Sequence, residues 1–267
     1  MKPLLSLALA LFALSGFGQD LHAIEQDLLQ KYDQIHHWSP YNNSENYNHY
    51  DSLEKANAVF KATLLHYATT YPATLNAAFR RLTKAGLMIT TSSDSLFRIY
   101  SWDTETGGTL HYFSNIYQYK NAHGVHARPG PPPPPEDAEK YGVVYYSNIY
   151  TLPVNGKRYY LAISNAILGG KDHIQSIQAF AMTDRGLNDS ARIIRTSEGL
   201  VSFIEVEYNF FSVVDRPERP VHLIGYDSAK KIISIPIVKR DGTVAKGRLL
   251  YRCTGKYFQY IGSIHPR

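Results

Sequence analysis

Cysteine is nearly absent from this sequence. Its 267 residues include only Cys253, so no disulfide can form within the chain, and its stability must come from packing. Cys253 lies in a strand-like segment, in phase with Leu249 and Tyr251. This position predicts a small buried side chain rather than a nucleophile.

Recognisable catalytic and cofactor motifs are also missing. There is no HExxH zinc motif and no GxSxG nucleophile turn, and Gly169-Gly170 does not complete a phosphate-binding loop. Asp172 precedes His173, but side chains adjacent in sequence rarely point at each other as a catalytic triad requires. His123 and His126 alone are too weak a pattern for a metal site. The sequence therefore predicts no metal and no cofactor.

Long apolar runs are confined to the N-terminus. Lys2 precedes the apolar stretch from Leu4 to Phe17, and small residues lie at its end in Gly16-Phe17-Gly18. The stretch is shorter than the roughly 20 residues that span a bilayer, so it predicts a signal peptide over residues 1–18, cleaved before Gln19. We expect an exported protein, periplasmic or secreted, with no membrane span and a single domain over residues 19–267.

Charge is sparse and evenly distributed. Charged residues make up 19% of the chain, and the formal net charge is +5 without a long basic run. This distribution argues against a nucleic-acid interface. Tyrosine is abundant instead, with 21 residues, and suits both wet sheet faces and aromatic binding surfaces.

Apolar periodicity predicts helices between residues 20 and 86. One helix is expected from Asp20 to Ile35 and a second beginning near Asp51, with Asp51 and Glu54 resembling a capping box. Its inward stripe would be Leu53, Ala56, Phe60, Leu64, Tyr67 and Tyr71. A third helix would follow Pro72, bury Leu75, Phe79 and Leu82, and end at Gly86.

Residues 87–267 are predicted to be rich in β-strand. Twelve short strand-like segments are separated in places by tight-turn pairs such as Asn155-Gly156 and Asp241-Gly242, which favour antiparallel pairing. Pro236 indicates an edge strand or a bulge. The predicted fold class is α+β, with N-terminal helices packed on a large antiparallel β-meander that forms a barrel or a sandwich. A six-residue similarity between Tyr112–Tyr117 and Tyr145–Tyr150 leaves a propeller-like arrangement as the alternative.

A proline-rich loop is predicted over residues 121–140, where five consecutive prolines run from Pro131 to Pro135. Consecutive prolines adopt polyproline II and cannot pair in a sheet. Two interpretations are open. The segment is either a docking site for a proline-recognising partner or a stiff surface loop.

The first candidate site is the predicted hairpin connection that contains Trp102, Asp103, Glu105, Gly107 and Gly108. An exposed tryptophan beside two carboxylates suits stacking on a sugar ring. The two carboxylates also suit cation binding or acid/base catalysis. The alternative is an ordinary hairpin with a core tryptophan and solvated carboxylates.

A second candidate is the charged corner after Phe210-Phe211. There Arg216 and Arg219 could clamp an anionic ligand, or could form an ordered corner between strands through ion pairs with neighbouring carboxylates.

The runs FRIYSWDTETGGTLHYFSNIYQYK, FFSVVDRPERPVHLIGYD and TGKYFQYIG resemble an uncharacterised family of exported proteins from Bacteroidetes. The resemblance implies export and brings no activity or site residues. Sequence alone thus favours an exported, non-catalytic protein that binds an unknown envelope ligand or protein partner. The alternatives are a hydrolase acting on glycan or another envelope substrate, with Asp103 and Glu105 as acid and base, and a structural scaffold.

Overall fold

A computed structural model describes residues 3–42, 49–131 and 144–265, with side chains from Asp20 onward. Its helices are α1 (Pro3–Trp38), α2 (Tyr50–Thr70) and α3 (Arg80–Lys84), with short 3-10 helices at Pro72–Leu75 and Phe210–Val213. The strands are β1 (Met88–Thr91), β2 (Phe97–Asp103), β3 (Phe113–Asn121), β4 (Gly124–Pro129), β5 (Val144–Val154), β6 (Lys157–Ile167), β7 (Asp172–Thr183), β8 (Gly186–Asn188), β9 (Ile194–Thr196), β10 (Gly199–Val201), β11 (Phe203–Asn209), β12 (Gly225–Asp227), β13 (Ile232–Val238), β14 (Val244–Cys253) and β15 (Phe258–Ile264). In the part of the chain described, no helix is long and apolar enough to cross a bilayer.

The two long helices pack through apolar stripes, and that of α2 matches the predicted one except at Tyr71, which lies beyond the end of the helix and is 38% exposed. The buried residues of α1 and α2 recur at helical spacing and include Ile24, Leu28, Tyr32, Ile35, Leu53, Ala56, Phe60, Leu64 and Ala68. The predicted capping box is wrong. Because α2 begins at Tyr50, its N-cap is His49, which makes no side-chain cap bond, and Asp51 lies inside the first turn.

The predicted third helix is interrupted. Residues 72–75 form a 3-10 helix, Phe79 adopts a left-handed conformation with φ 40°, and only Arg80–Lys84 is α-helical. The Glu25 carboxylate on α1 accepts a hydrogen bond from the Arg81 amide at 2.7 Å. It thereby satisfies an N–H group at the start of α3 that has no partner within the helix. Leu75, Phe79 and Leu82 are nevertheless buried as predicted.

The strands form three sheets with open strand orders. The first sheet is β1-β2-β3-β4, the second is β11-β7-β6-β5 with β8 paired to β7, and the third is β10-β9-β15-β14-β13-β12. Pairing is antiparallel apart from a short parallel pair between β9 and β15. The α+β prediction is confirmed. The sheets are sandwich-like, and the strands described close no barrel. Pro236 lies at a bulge between β13 and β14.

The helices and sheets are stacked in four layers. Tyr100 and Trp102 of the first sheet pack on the helices, while Phe97 and Ile99 on its other face pack on the second sheet. A further apolar cluster joins the second sheet to the third. Strand alternation produces this pattern, since neighbouring residues of a strand point to opposite faces. The two similar hexapeptides fall on β3 and β5 in different sheets, where the hydroxyls of Tyr117 and Tyr146 lie 2.8 Å apart. They are parts of facing layers rather than propeller blades.

The antiparallel register places connections at two ends of the first two sheets. At one end, the loop end, are the β2–β3 connection, the β6–β7 turn and the corner after β11. At the other, the turn end, are the β3–β4, β5–β6 and β7–β8 turns. The prediction of a loop from residue 121 is wrong, because Gly124–Pro129 pairs with β3 as strand β4. Residues 132–140 of that predicted loop lie outside the described residues.

Candidate functional site

Trp102 belongs to the core. Trp102 is 0% exposed, its ring is perpendicular to that of Phe60 with centroids 5.1 Å apart, and its Nε1 donates to Asn57 Oδ1 at 3.1 Å. The interpretation of Trp102 as an exposed stacking platform is therefore wrong. The physical reason is alternation along β2, which directs Trp102 to the helical layer together with Tyr100.

The connection after Trp102 has a fixed backbone. Asp103 Oδ1 accepts the Glu105 amide at 2.9 Å, and Glu105 has a positive φ of 57°. At Gly107 a Cβ atom would lie 1.9 Å from the Leu110 carbonyl oxygen, whereas one at Gly108 would meet nothing within 4 Å. Gly107 is thus required by a close backbone approach, and Gly108 is not.

Helix α2 and the segment that follows α1 hold this loop in place. The Tyr41 hydroxyl donates to the carbonyl oxygens of Gly107 and Gly108, and Asn57 Nδ2 donates to the Thr104 carbonyl at 2.8 Å. Residues predicted to contact a ligand therefore contact helices and their flanking segment instead.

Each candidate carboxylate is paired with a histidine. His36 Nδ1 lies 2.5 Å from Glu105 Oε1, and His111 Nδ1 lies 2.5 Å from Asp103 Oδ2. The Glu105 hydrogen bond raises the pKa of His36. Burial alone would raise the pKa of Glu105, but the hydrogen bond from His36 and the charges of His36 and His111 outweigh it, so that pKa is lowered. A glycosidase acid must stay protonated, so a lowered pKa does not suit Glu105 for that role.

The Asp103–His111 pair is more accessible and has aromatic neighbours. The His111 side chain is 35% exposed, and its ring lies 6.3 Å from Phe113, which in turn lies 4.8 Å from Tyr145. A carboxylate on Nδ1 orients an imidazole for proton transfer at Nε2. This arrangement can bind a polar group or act as a general base.

The corner that contains Arg216 and Arg219 is internally bonded. The Arg219 guanidinium donates to the carbonyls of Arg216, Glu218 and Val214 at 2.5, 2.8 and 2.8 Å, and lies 5.3 Å from the Phe210 ring centroid. Arg216 is 4.0 Å from the Glu218 carboxylate. These contacts fit the ordered-corner interpretation, because most of the Arg219 donors are committed to the loop itself.

The structure brings the two candidate segments to opposite sides of the β6–β7 turn. The His111 amide donates to the Ile167 carbonyl at 3.0 Å, and the Phe210 amide donates to the Lys171 carbonyl at 2.7 Å. His173 stacks on Phe210 with ring centroids 4.6 Å apart. Burial lowers the pKa of His173, which favours its neutral form at this contact.

Two residues that contact the β2–β3 connection have no local signal in the sequence. His36 and Tyr41 lie far along the chain from the β2–β3 connection, and the helical pattern did not indicate what they contact. No motif indicates that His111 pairs with Asp103. Across the ranges 3–42, 49–131 and 144–265, no group of three or more histidine, cysteine, aspartate or glutamate side chains is arranged to hold a metal ion.

Comparison with known proteins assigns the chain to no family. Neither a protein-family model nor a curated protein matches it. The resemblance to exported Bacteroidetes proteins stays a prediction.

Proposed function

We propose that this is an exported, non-catalytic protein that binds a ligand or partner of the cell envelope at its loop end. The observation that supports this most is the hydrogen bonding of His111 and Phe210 to the two sides of the β6–β7 turn. Two segments that are polar and aromatic in sequence thereby share one surface. Binding sites are commonly built from such loops held on a rigid sheet.

The exposed aromatic surface supports a binding role. Phe211 is 62% exposed beside the half-buried Phe210, and the half-buried rings of Phe113 and Tyr145 form a second pair near His111. Aromatic rings with adjacent polar groups suit the mixed apolar and hydroxylated surfaces of envelope glycans. Trp102 and Glu105 contact the helical layer, so in this proposal they support the loop and do not contact the ligand.

Thermal unfolding with a panel of glycans, lipids and cell-wall fragments tests the proposal. A ligand at 100 times its dissociation constant adds roughly 2.7 kcal/mol to the free energy of unfolding and raises the midpoint by several degrees. We expect Phe211→Ala to abolish most of that shift. The matched control is Tyr260→Ala, which removes an aromatic ring 48% exposed on the third sheet and should leave the shift intact. Equal loss in both variants would contradict binding at the loop end.

A hydrolase remains the second candidate, and one observation favours it. The 2.5 Å contact between Asp103 and His111 places an oriented imidazole on the surface. His111 is then the general base, with Asp103 as its positioning residue, in place of an Asp103/Glu105 acid/base pair. Product release from any panel substrate, lost in His111→Ala while binding persists, would establish this function and refute the non-catalytic one.

A further inference from the structure

A cleft of about 870 Å³ opens at the turn end, away from the loop end. Residues from the three hairpin turns line it: Lys120 and Ala122 beside the β3–β4 turn, Lys157 and Arg158 after the β5–β6 turn, and Thr183 and Asp184 at the β7–β8 turn. The volume lies in the range of small-molecule sites, roughly 300 to 1,000 Å³. The lining comes from the ends of both the first and the second sheet, so neither sheet alone would contain the cleft.

The charge around the cleft is predominantly positive. Lys120, Lys157 and Arg158 line it against one lining carboxylate, that of Asp184. Arg158 uses its Nε in a 3.2 Å contact with Asp94. Within the described ranges, no carboxylate lies within 4 Å of the ammonium of Lys120 or Lys157. Two cations therefore remain free for an anionic group.

The side chains around these cations are partly apolar. Leu96, Tyr159 and Met182 line the same cleft and are each half-buried. A ligand can reach this apolar surface. Binding there would remove the surface from water, which stabilises the complex by roughly 25 cal/mol per Å² of apolar surface. An ion without an apolar portion would leave this surface uncovered.

Tight turns hold the cationic residues in place. Asn155 and Gly156 both have positive φ, 49° and 73°, as a two-residue hairpin turn requires, and Val154 pairs with Lys157 directly across it. Asp94, the partner of Arg158, accepts hydrogen bonds from the Ser92 hydroxyl and the Leu96 amide. The Lys157 and Arg158 backbones are thus fixed before any ligand arrives, which reduces the entropy lost on binding.

We propose that this cleft binds an anionic amphiphile: a molecule with a phosphate or carboxylate group, held by Lys120, Lys157 and Arg158, and an apolar portion lying against Leu96, Tyr159 and Met182. A free small molecule and the headgroup region of a lipid share this chemistry. The site is separate from the loop end and does not depend on the function proposed there.

Isothermal titration of the full-length protein with octyl phosphate tests the proposal. Inorganic phosphate supplies the charge alone and octyl glucoside the alkyl chain alone. We expect octyl phosphate to bind at least tenfold more tightly than either, a factor equivalent to about 1.4 kcal/mol. Binding should weaken at high salt, because the partly exposed charges are screened. Octyl phosphate that binds no more tightly than octyl glucoside would overturn the role of the cations, and equal affinity for inorganic phosphate would overturn the role of the apolar surface.

Charge-removing variants locate the site. Lys120→Gln combined with Lys157→Gln should weaken octyl phosphate binding by tenfold or more, while Lys246→Gln, an exposed lysine on β14, should leave it unchanged. Both substituted sites are exposed, so the thermal midpoint should stay within a few degrees of the wild-type value. Equal affinity in the double variant and the wild type would refute binding in this cleft. Phe211→Ala should have no effect, which separates this site from the loop end.

A vesicle assay distinguishes the source of the ligand. Co-sedimentation with phosphatidylglycerol vesicles but not phosphatidylcholine vesicles, lost in the double variant, would support a lipid headgroup. Octyl phosphate binding without vesicle binding would support a free small molecule. Vesicle binding that the double variant retains, with no octyl phosphate binding, would refute the proposal in favour of general attraction of the basic surface.

Discussion

The His36–Glu105 pair should make the stability of this protein depend on pH in a defined window. The pKa of His36 is raised from 6.5 and that of Glu105 is lowered from 4.5. The histidine contribution is fully present below pH 6.5 and is lost as the pH rises through the raised pKa. The glutamate contribution is present above pH 4.5 and is lost as the pH falls through the lowered pKa. The pair therefore stabilises the fold most between those two values.

The magnitude follows from burial. The Glu105 side chain is 12% exposed and that of His36 is 34% exposed. Because solvent reaches His36, it partly screens the attraction between the two charges. A hydrogen bond to a charged group contributes about 1.5 to 3 kcal/mol when buried, and we discount this to about 1 to 2 kcal/mol here. For a chain of this size, Glu105→Gln should lower the thermal midpoint by roughly 2 to 8 °C at pH 5.5.

Thermal unfolding of the wild type and Glu105→Gln between pH 5 and pH 8.5 measures this effect. The difference in midpoint should shrink as the pH rises and His36 loses its proton. The matched control is Glu54→Gln on α2, which removes an exposed carboxylate with no ion pair among the described residues. A difference that stays constant across the range would show that Glu105 acts only by packing and would refute the ion-pair reasoning.

Two further predictions concern the loop and the interface between helices and sheet. Gly107→Ala should cost about 2 kcal/mol or more, because its Cβ would lie 1.9 Å from a backbone oxygen, while Gly108→Ala should stay within about 0.5 kcal/mol in urea unfolding. Arg98→Met should cost about 2 kcal/mol, because the buried guanidinium donates to the carbonyls of Thr74 and Ala77 at 2.8 and 2.7 Å. Its removal takes this donor from the Ala77 carbonyl, whereas the Thr74 carbonyl still accepts the Tyr100 hydroxyl at 3.0 Å. A cost below 1 kcal/mol for Arg98→Met would show that water replaces those bonds.

Strand β2 shows what periodicity could predict and what it could not. Alternation along the strand separates Arg98, Tyr100 and Trp102 from Phe97 and Ile99, since neighbouring side chains of a strand point to opposite faces. It could not show that both faces are covered. A strand in the middle of a four-layer stack is buried on both sides, so even its arginine is 5% exposed. A polar residue in such a strand resembles a surface residue in sequence.

The candidate site at the β2–β3 connection was only partly predictable for a related reason. Composition correctly indicated a glycine-containing reversal between antiparallel strands, and Gly107 has the close contact that requires glycine. The roles of Asp103 and Glu105 depend on what lies opposite them. Their histidine partners come from within the connection itself and from α1, so no spacing rule could place His36 beside Glu105.

The cleft at the turn end could not be predicted from the sequence either. Its lining residues match no motif, and only the fold brings them together. Lys120 and Lys157 belong to hairpins in different sheets, and each alone is a solvated lysine beside a turn. The Asn155-Gly156 turn was recognised, and it determines where Lys157 lies relative to β5, because a two-residue turn determines hairpin register. Packing of the second sheet on the first then places Lys120 and Lys157 around the same cleft, and the sequence has no local signal for that packing. Positive charges that are dispersed along the sequence can therefore cluster at one site in the folded protein. The dispersed pattern argues against an extended nucleic-acid interface more strongly than it argues against a site for a small anionic ligand.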